Sequence, residues 1–153
     1  MITESVKIAK SAFIGDSVSI GDGSEIGEGV IIRDGVTIGK NCKIFPYAVI
    51  GEAPQDHSFS GEESFVEIGD NNTIREFVTI NKGVGEGSKT ILGNDNYIMA
   101  YSHLAHNVTV KNNVTIANSV QLAGYSFVDD YVNIGGLTAI HQGCKVGKLA
   151  MVS

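Results

Sequence analysis

One aliphatic residue returns every six positions along this chain, and that period limits its fold more than any other feature. Counting by six from Ile2 meets Ile8, Ile14, Ile20, Ile26, Ile32, Ile38, Ile44 and Ile50. The series fails at Asp56 and Glu62, resumes in phase at Ile68, Ile74 and Ile80, and fails again at Glu86. From Leu92 it runs unbroken through Ile98, Leu104, Val110, Ile116, Leu122, Val128, Ile134, Ile140 and Val146 to Val152. In all, 23 of 26 positions hold Ile, Leu or Val. A helix repeats its apolar residues every three or four positions and a simple strand every second. A period of six fits a short strand followed by a corner.

The residue four after each aliphatic is expected to point inward too, and it is smaller: Val6, Ala12, Val18, Ser24, Val30, Val36, Cys42, Ala48. Corner signals lie between, as Asp22-Gly23, Glu28-Gly29, Asp34-Gly35, Asn112-Asn113 and Gly135-Gly136. Gly and Asn tolerate the positive φ that a sharp corner demands. Three strands and three corners close one triangular coil of about 18 residues, and stacked coils lie about 4.8 Å apart. The expected fold is all-β, a parallel β-helix over residues 1–153. Loop excursions are expected near 52–65 and 81–90, where the series fails. General connection rules favour a right-handed coil.

Composition excludes some functions. A net charge of −6 and a pI near 5.1 argue against nucleic-acid binding driven by phosphate neutralisation. No 18-residue apolar run is present, and Met1-Ile2-Thr3-Glu4-Ser5 lacks the basic and apolar blocks of a signal peptide. The expectation is a cytoplasmic protein. Cys42 and Cys144 read as small buried fillers. Tyr97, Tyr101, Phe127 and Tyr131, with Leu137 nearby, read as apolar positions on the flat outer faces, suited to a subunit interface.

Stacking at eighteen residues aligns chemistry. His106 follows Leu104 by two, at a corner; Gly124 and Gln142 occupy the same place on the next two coils. A histidine can take a proton from a hydroxyl near neutral pH. A glycine corner exposes an N–H that can hold a developing oxyanion. A glutamine amide can orient a polar substrate. Acyl transfer to an alcohol needs such a trio. His103 lies on the strand before that corner, suited to a sugar hydroxyl or a phosphate; His141 is beside Gln142, and His57 falls in the first excursion.

The six-residue repeat resembles the hexapeptide-repeat transferase superfamily, whose coils wind left-handed. That superfamily includes zinc carbonic anhydrases with a histidine pair five apart; His103 and His106 are three apart, so no metal is expected, and no cofactor. The stretches Ser102-His103-Leu104-Ala105-His106-Asn107, Ala117-Asn118-Ser119-Val120-Gln121-Leu122-Ala123-Gly124 and Gly135-Gly136-Leu137-Thr138-Ala139-Ile140-His141-Gln142 are more specific. So are Gly51-Glu52-Ala53-Pro54-Gln55-Asp56 and Val66-Glu67-Ile68-Gly69-Asp70-Asn71-Asn72-Thr73-Ile74-Arg75-Glu76. Together they resemble the acyl-ACP–UDP-N-acetylglucosamine O-acyltransferases of lipid A synthesis.

The resemblance implies transfer of a 3-hydroxyacyl group from acyl carrier protein to the 3-hydroxyl of UDP-N-acetylglucosamine, in a homotrimer. It implies His106 as general base and Gly124 as oxyanion donor. Gln55 and Asp56 fall on a loop that reaches the sugar in a neighbouring subunit. His103, Tyr125, His141 and Gln142 fall on substrate-contacting positions. There are departures. Asn107 stands where the family has Asp beside the base, Tyr125 where it has His, and Ser58 where it usually has Lys. The chain also stops in mid-repeat, where family members continue with more coils and a helical domain. Two other functions fit the same repeat: a nucleotide-sugar N-acyltransferase using acyl-CoA, and a catalytically inactive scaffold.

Overall fold

The computed structural model describes all 153 residues. Twenty-two short strands follow one another with no helix between them. Each strand pairs in parallel with the one three further along, sorting them into sheets of eight, seven and seven. Three strands therefore make one coil of a triangular β-helix. The register is the eighteen-residue step read from the repeat: Ile14 faces Ile32, Ile32 faces Ile50, Leu104 faces Leu122 and Leu122 faces Ile140.

The aliphatic series fills the interior. Thirty buried apolar residues form one continuous core, with Ile32, Ile50, Ile80, Leu104 and Leu122 fully enclosed. Each such side chain contributes about 1.5–3 kcal/mol on burial. Two-residue strands would be marginal alone; stacking one aliphatic on the next holds them.

Two places depart from the step. Ile44 faces Ile74, thirty residues on, and Ile74 faces Ile98, twenty-four on. The excursions thus add twelve and six residues to their coils. They are shorter than the interruptions in the series suggest. Glu52 closes the strand Val49–Glu52 and Phe65 opens Phe65–Ile68, while Asn81, Lys89 and Thr90 belong to Thr79–Asn81 and Lys89–Leu92. The strands extend because parallel pairing continues beyond the usual two residues, before Ile68 and Leu92 and after Ile50 and Ile80.

From Gly23 onward, the corners outside the two excursions turn on a left-handed residue, the third after the aliphatic. Gly23, Gly29, Gly35, Asn41, Asn71 and Asn113 fill that place as expected. Tyr47, Phe77, Tyr101, Tyr125, Tyr131, Leu137 and Leu149 also fill it, with φ between 59° and 64°. Tyr101, Tyr131 and Leu137 therefore sit on corners, not flat faces, and Leu137, not Gly135 or Gly136, takes the positive φ. A bulky residue there costs about 1–2 kcal/mol. Stacking offsets part of it: the rings of Tyr47, Phe77 and Tyr101 form a column with centroids 5.4 and 5.1 Å apart.

Polar side chains tie the coils together at two columns. On the outside, one corner carries a ladder: the Lys40 N–H donates to Asp70 Oδ1 (2.7 Å), Asp70 to Asn94 (2.7 Å), Asn94 to Asn112 (2.8 Å) and Asn112 to Asp130 (3.0 Å). Each corner N–H is capped by the side chain one coil on. Inside, Ser24, Cys42, Asn72 and Asn96 stack at the smaller inward position. Asn72 Nδ2 donates to the carbonyls of Gly69 and Gly93, and its Oδ1 accepts the Asn96 N–H. Cys42 is buried there, as expected, but Cys144 is exposed, because it lies in the last coil and no later strand of the chain covers it.

Candidate active site

His106 lies at the corner after the strand His103–Leu104 and is 5% exposed. Its Nδ1 is 3.0 Å from Asn107 Oδ1. The backbone fixes which end of that amide faces the ring. Asn107 Oδ1 accepts the Val84 N–H at 2.8 Å, and Asn107 Nδ2 donates to the Val84 carbonyl at 3.3 Å. Oδ1 can only accept, so His106 Nδ1 carries a proton, and in the neutral ring the lone pair is on Nε2. Asparagine thus does what a neighbouring carboxylate would do for the tautomer, without charge, and adds a bond to the second excursion that a carboxylate lacks.

Nε2 points at Asp56 Oδ2, 3.3 Å away, on the first excursion. Asp56 thus reaches His106 of its own chain. Ser58 donates its N–H (2.8 Å) and hydroxyl (2.6 Å) to Asp56 Oδ1, and these bonds hold the Asp56 carboxyl below its usual range. Ser58 therefore caps Asp56 where the family's lysine would supply a charge. The contact becomes an ion pair only when the imidazole holds both protons.

Gly124 stacks one coil beyond His106, and a Cβ there would collide with the His106 ring. Its carbonyl accepts the Gly143 N–H (3.0 Å), but its own N–H donates to no protein group. The outer ladder explains the difference. An Asp or Asn one coil on caps each corner N–H there, but Gln142 stands one coil beyond Gly124, exposed and making no hydrogen bond. The histidine's corner follows a different sheet and carries no such ladder, so the Gly124 amide proton stays free beside the base.

A cleft of about 320 Å³ brings together Gln55, Asp56, His103, His106, Gly124 and Gln142, with Gln121 on its wall. The remaining residues lie around it. Asn107 stands behind the base, and Tyr125 meets the His106 ring edge-on, with centroids 5.1 Å apart. His141 lines an adjoining groove of about 340 Å³ with His103, Gln121 and Ala139. His57 is exposed. Sequence reasoning missed Gln121, although the eighteen-residue step from His103 leads to it. His103 Nδ1 is 2.7 Å from Thr79 Oγ1, and burial pushes its pKa below 6.5. A larger groove of about 410 Å³ crosses the N-terminal coils between Lys7 and Pro46, and no histidine lines it. It offers nothing to take a proton near neutral pH.

Known proteins resemble this chain in sequence and in fold. The acyl-ACP–UDP-N-acetylglucosamine O-acyltransferases of Helicobacter pylori and Nautilia profundicola are 47% and 45% identical over 117 residues, 76% of this chain. That stretch is 43% and 45% of their own lengths, so the chain spans less than half of these relatives. The crystal structure of the Francisella novicida UDP-N-acetylglucosamine acyltransferase matches with a TM-score of 0.83 and 37% identity, over 99% of this chain and 62% of that one. The Campylobacter jejuni UDP-N-acetylglucosamine acyltransferase matches with a TM-score of 0.69 and 40% identity, over 99% and 64%. These likenesses give the coil its left hand. Residues 2–40, 18–51, 47–82 and 89–124 each match the family model described as bacterial transferase hexapeptide (six repeats), and the chain belongs to that family.

Proposed function

We propose that this chain carries the catalytic corner of an acyltransferase that moves a 3-hydroxyacyl group from acyl carrier protein to the 3-hydroxyl of UDP-N-acetylglucosamine, the opening step of lipid A synthesis. One observation carries the reading: a base nitrogen with a free lone pair and a free buried N–H share one cleft. The sugar hydroxyl gives its proton to His106 Nε2 as its oxygen attacks the thioester carbonyl. The carbonyl oxygen gains negative charge and takes the Gly124 N–H. Collapse forms the ester, breaks the C–S bond and releases the thiolate, which takes the proton back from the imidazolium. Asp56, beside Nε2, accepts from the sugar and favours the imidazolium while it lasts. Gln55, His103 and Gln142 line the cleft and hold the sugar nucleotide. His141 and Tyr125 flank it.

The same reading is of a cytoplasmic homotrimer. The exposed aromatic column on the corners supports an interface between copies. No helix is long and apolar enough to cross a membrane. The test is a substrate panel of 3-hydroxyacyl-ACP and acyl-CoA donors against UDP-N-acetylglucosamine and amino-sugar nucleotides. The reading expects ester product from the first donor and UDP-N-acetylglucosamine, reduced about 10²- to 10⁴-fold in His106→Ala. Amide product from an amino sugar and acyl-CoA would instead point to an N-acyltransferase. No product from any pair would point to a scaffold.

A further inference from the structure

The two excursions hold each other as well as the base. Glu62, on the first, accepts the Gly85 N–H of the second through Oε1 at 2.9 Å. Its Oε2 accepts the N–H (2.8 Å) and hydroxyl (3.0 Å) of Ser60, fixing the carboxylate within its own loop. These backbone and side-chain donors, the Gly85 N–H foremost, hold its carboxyl at about 2, so it is ionised throughout the working range. A second tie joins the same loops, from the Gly87 N–H to the Glu63 carbonyl at 2.8 Å. Val84, next to Gly85, makes the two-point bond with the Asn107 amide that sets which end faces the histidine. Asp56, on Glu62's own loop, stands at the other ring nitrogen. The bonds close a circuit: Asp56, His106, Asn107, Val84, Gly85, Glu62 and back along the first excursion.

We propose that Glu62 is a positioning residue for His106: it anchors the second excursion so that Val84 keeps Asn107 Oδ1 against His106 Nδ1 and the lone pair stays on Nε2. This rests on His106 acting as the base. The circuit has a physical reason. A neutral amide presents an acceptor at one end and a donor at the other, so if Asn107 turned over it would favour the opposite tautomer of the ring. A carboxylate has no such ambiguity. A chain with asparagine at this position needs something outside the amide to choose its orientation, and Val84, pinned by Glu62 through its neighbour, makes that choice. Glu62 touches neither the ring nor the cleft lining.

The test uses the full chain labelled with ¹⁵N. Long-range ¹H–¹⁵N correlations read the histidine tautomers, with the His106 signals assigned by their loss in His106→Gln. Amide exchange is followed at Val84 and Gly85, and turnover is measured with the acyl-ACP donor. The wild type is expected to show His106 protonated at Nδ1. In Glu62→Ala, exchange at Val84 and Gly85 should accelerate about 10- to 100-fold, the range of a hydrogen bond to a charged group. An Nε2-protonated form of His106 should appear, and kcat should fall about tenfold with KM within about twofold. Glu62→Gln keeps an acceptor for Gly85 and should recover most of each effect. Glu63→Ala, whose side chain forms no hydrogen bond or ion pair, should change none. Faster exchange with an unchanged tautomer and kcat would overturn the proposal, leaving Glu62 a loop tie only. Unchanged exchange at Gly85 would overturn it too. If the wild type turns over no substrate but the tautomer shifts as stated, the circuit stands and the acyltransferase reading fails.

Discussion

Gln142→Asn tests the free amide at the centre of the site, because it should extend the fold's own wiring into it. On the outer ladder, Asn94 and Asn112 cap the corner N–H one coil back at 2.7 and 2.8 Å. Position 142 stands to Gly124 as Asn112 stands to Asn94, at the same corner place one coil on. Glutamine is one methylene longer and leaves the proton free; asparagine has the length that closes the bond. The cap should add about 0.5–1.5 kcal/mol, since a net hydrogen bond contributes about that much. In a domain of this size each kcal/mol raises Tm by about 2–4 °C. Catalysis should move the other way. Losing one oxyanion donor costs about 10²- to 10³-fold in kcat. Gln142→Ala is the control, since it removes the glutamine without supplying a cap, so the difference between the variants isolates the amide. Thermal unfolding, amide exchange at Gly124 and single-turnover acyl transfer read the three quantities. A protected Gly124 amide in Gln142→Asn, with kcat equal to that of Gln142→Ala, would refute the assignment of Gly124 as the oxyanion donor.

Other expectations follow from the same geometry. Gly124→Ala puts a methyl group against the His106 ring, and relieving the overlap should cost about 1–3 kcal/mol in urea unfolding and displace the base; a stable variant with full turnover would contradict the packing. Asn72→Leu strands the Gly93 carbonyl and the Asn96 N–H inside the core and leaves the Gly69 carbonyl only the weak Cys42 thiol donor. At about 1–3 kcal/mol per unpaired group, the loss should exceed about 2 kcal/mol, and a loss below about 1 would show the inner column to be dispensable. His103 has a folded pKa depressed by burial, so as pH falls through about 6.5 the unfolded chain takes up a proton before the folded one does. Its contribution is intact above that pH and is lost below it. His103→Gln should therefore flatten the decline in stability between about pH 7.5 and 5.5, and an unchanged slope would refute that account of the burial.

The strict period made the interior legible, because a six-residue repeat has few three-dimensional solutions. The same period puts His106, Gly124 and Gln142 in one column. Gln121 obeys the same rule, one coil beyond His103 in its column. Where the period lapses, no spacing rule remains. Nothing in the numbering told that Asp56 would return to His106 or that Val84 would orient Asn107, because a loop's path depends on bonds such as Glu62 to Gly85. The corners failed for another reason. Propensity favours Gly or Asn at positive φ, yet stacking places Tyr47, Phe77 and Tyr101 there. The cysteines show the limit of pattern: Cys42 and Cys144 share an inward place, and only the presence of a covering strand separates buried from exposed.

A coil that repeats isoleucine over isoleucine has a weakness that the inner polar column corrects. Slipping a strand by a whole coil would lay one aliphatic side chain over another with nearly the same contact, so apolar stacking alone gives a folding chain no landmarks. The amides of Asn72 and Asn96 find their partners only at one rung: Asn72 with Gly69, Gly93 and Asn96, and Asn96 with Lys111 and Val114. They lie on the coils where the excursions lengthen the step to thirty and then twenty-four residues. At those rungs counting by eighteen would mislead, and a wrong pairing would bury unsatisfied amides. The column works as an address, much as a single buried asparagine sets register in a coiled coil. It registers the histidine's corner against the loops that complete it.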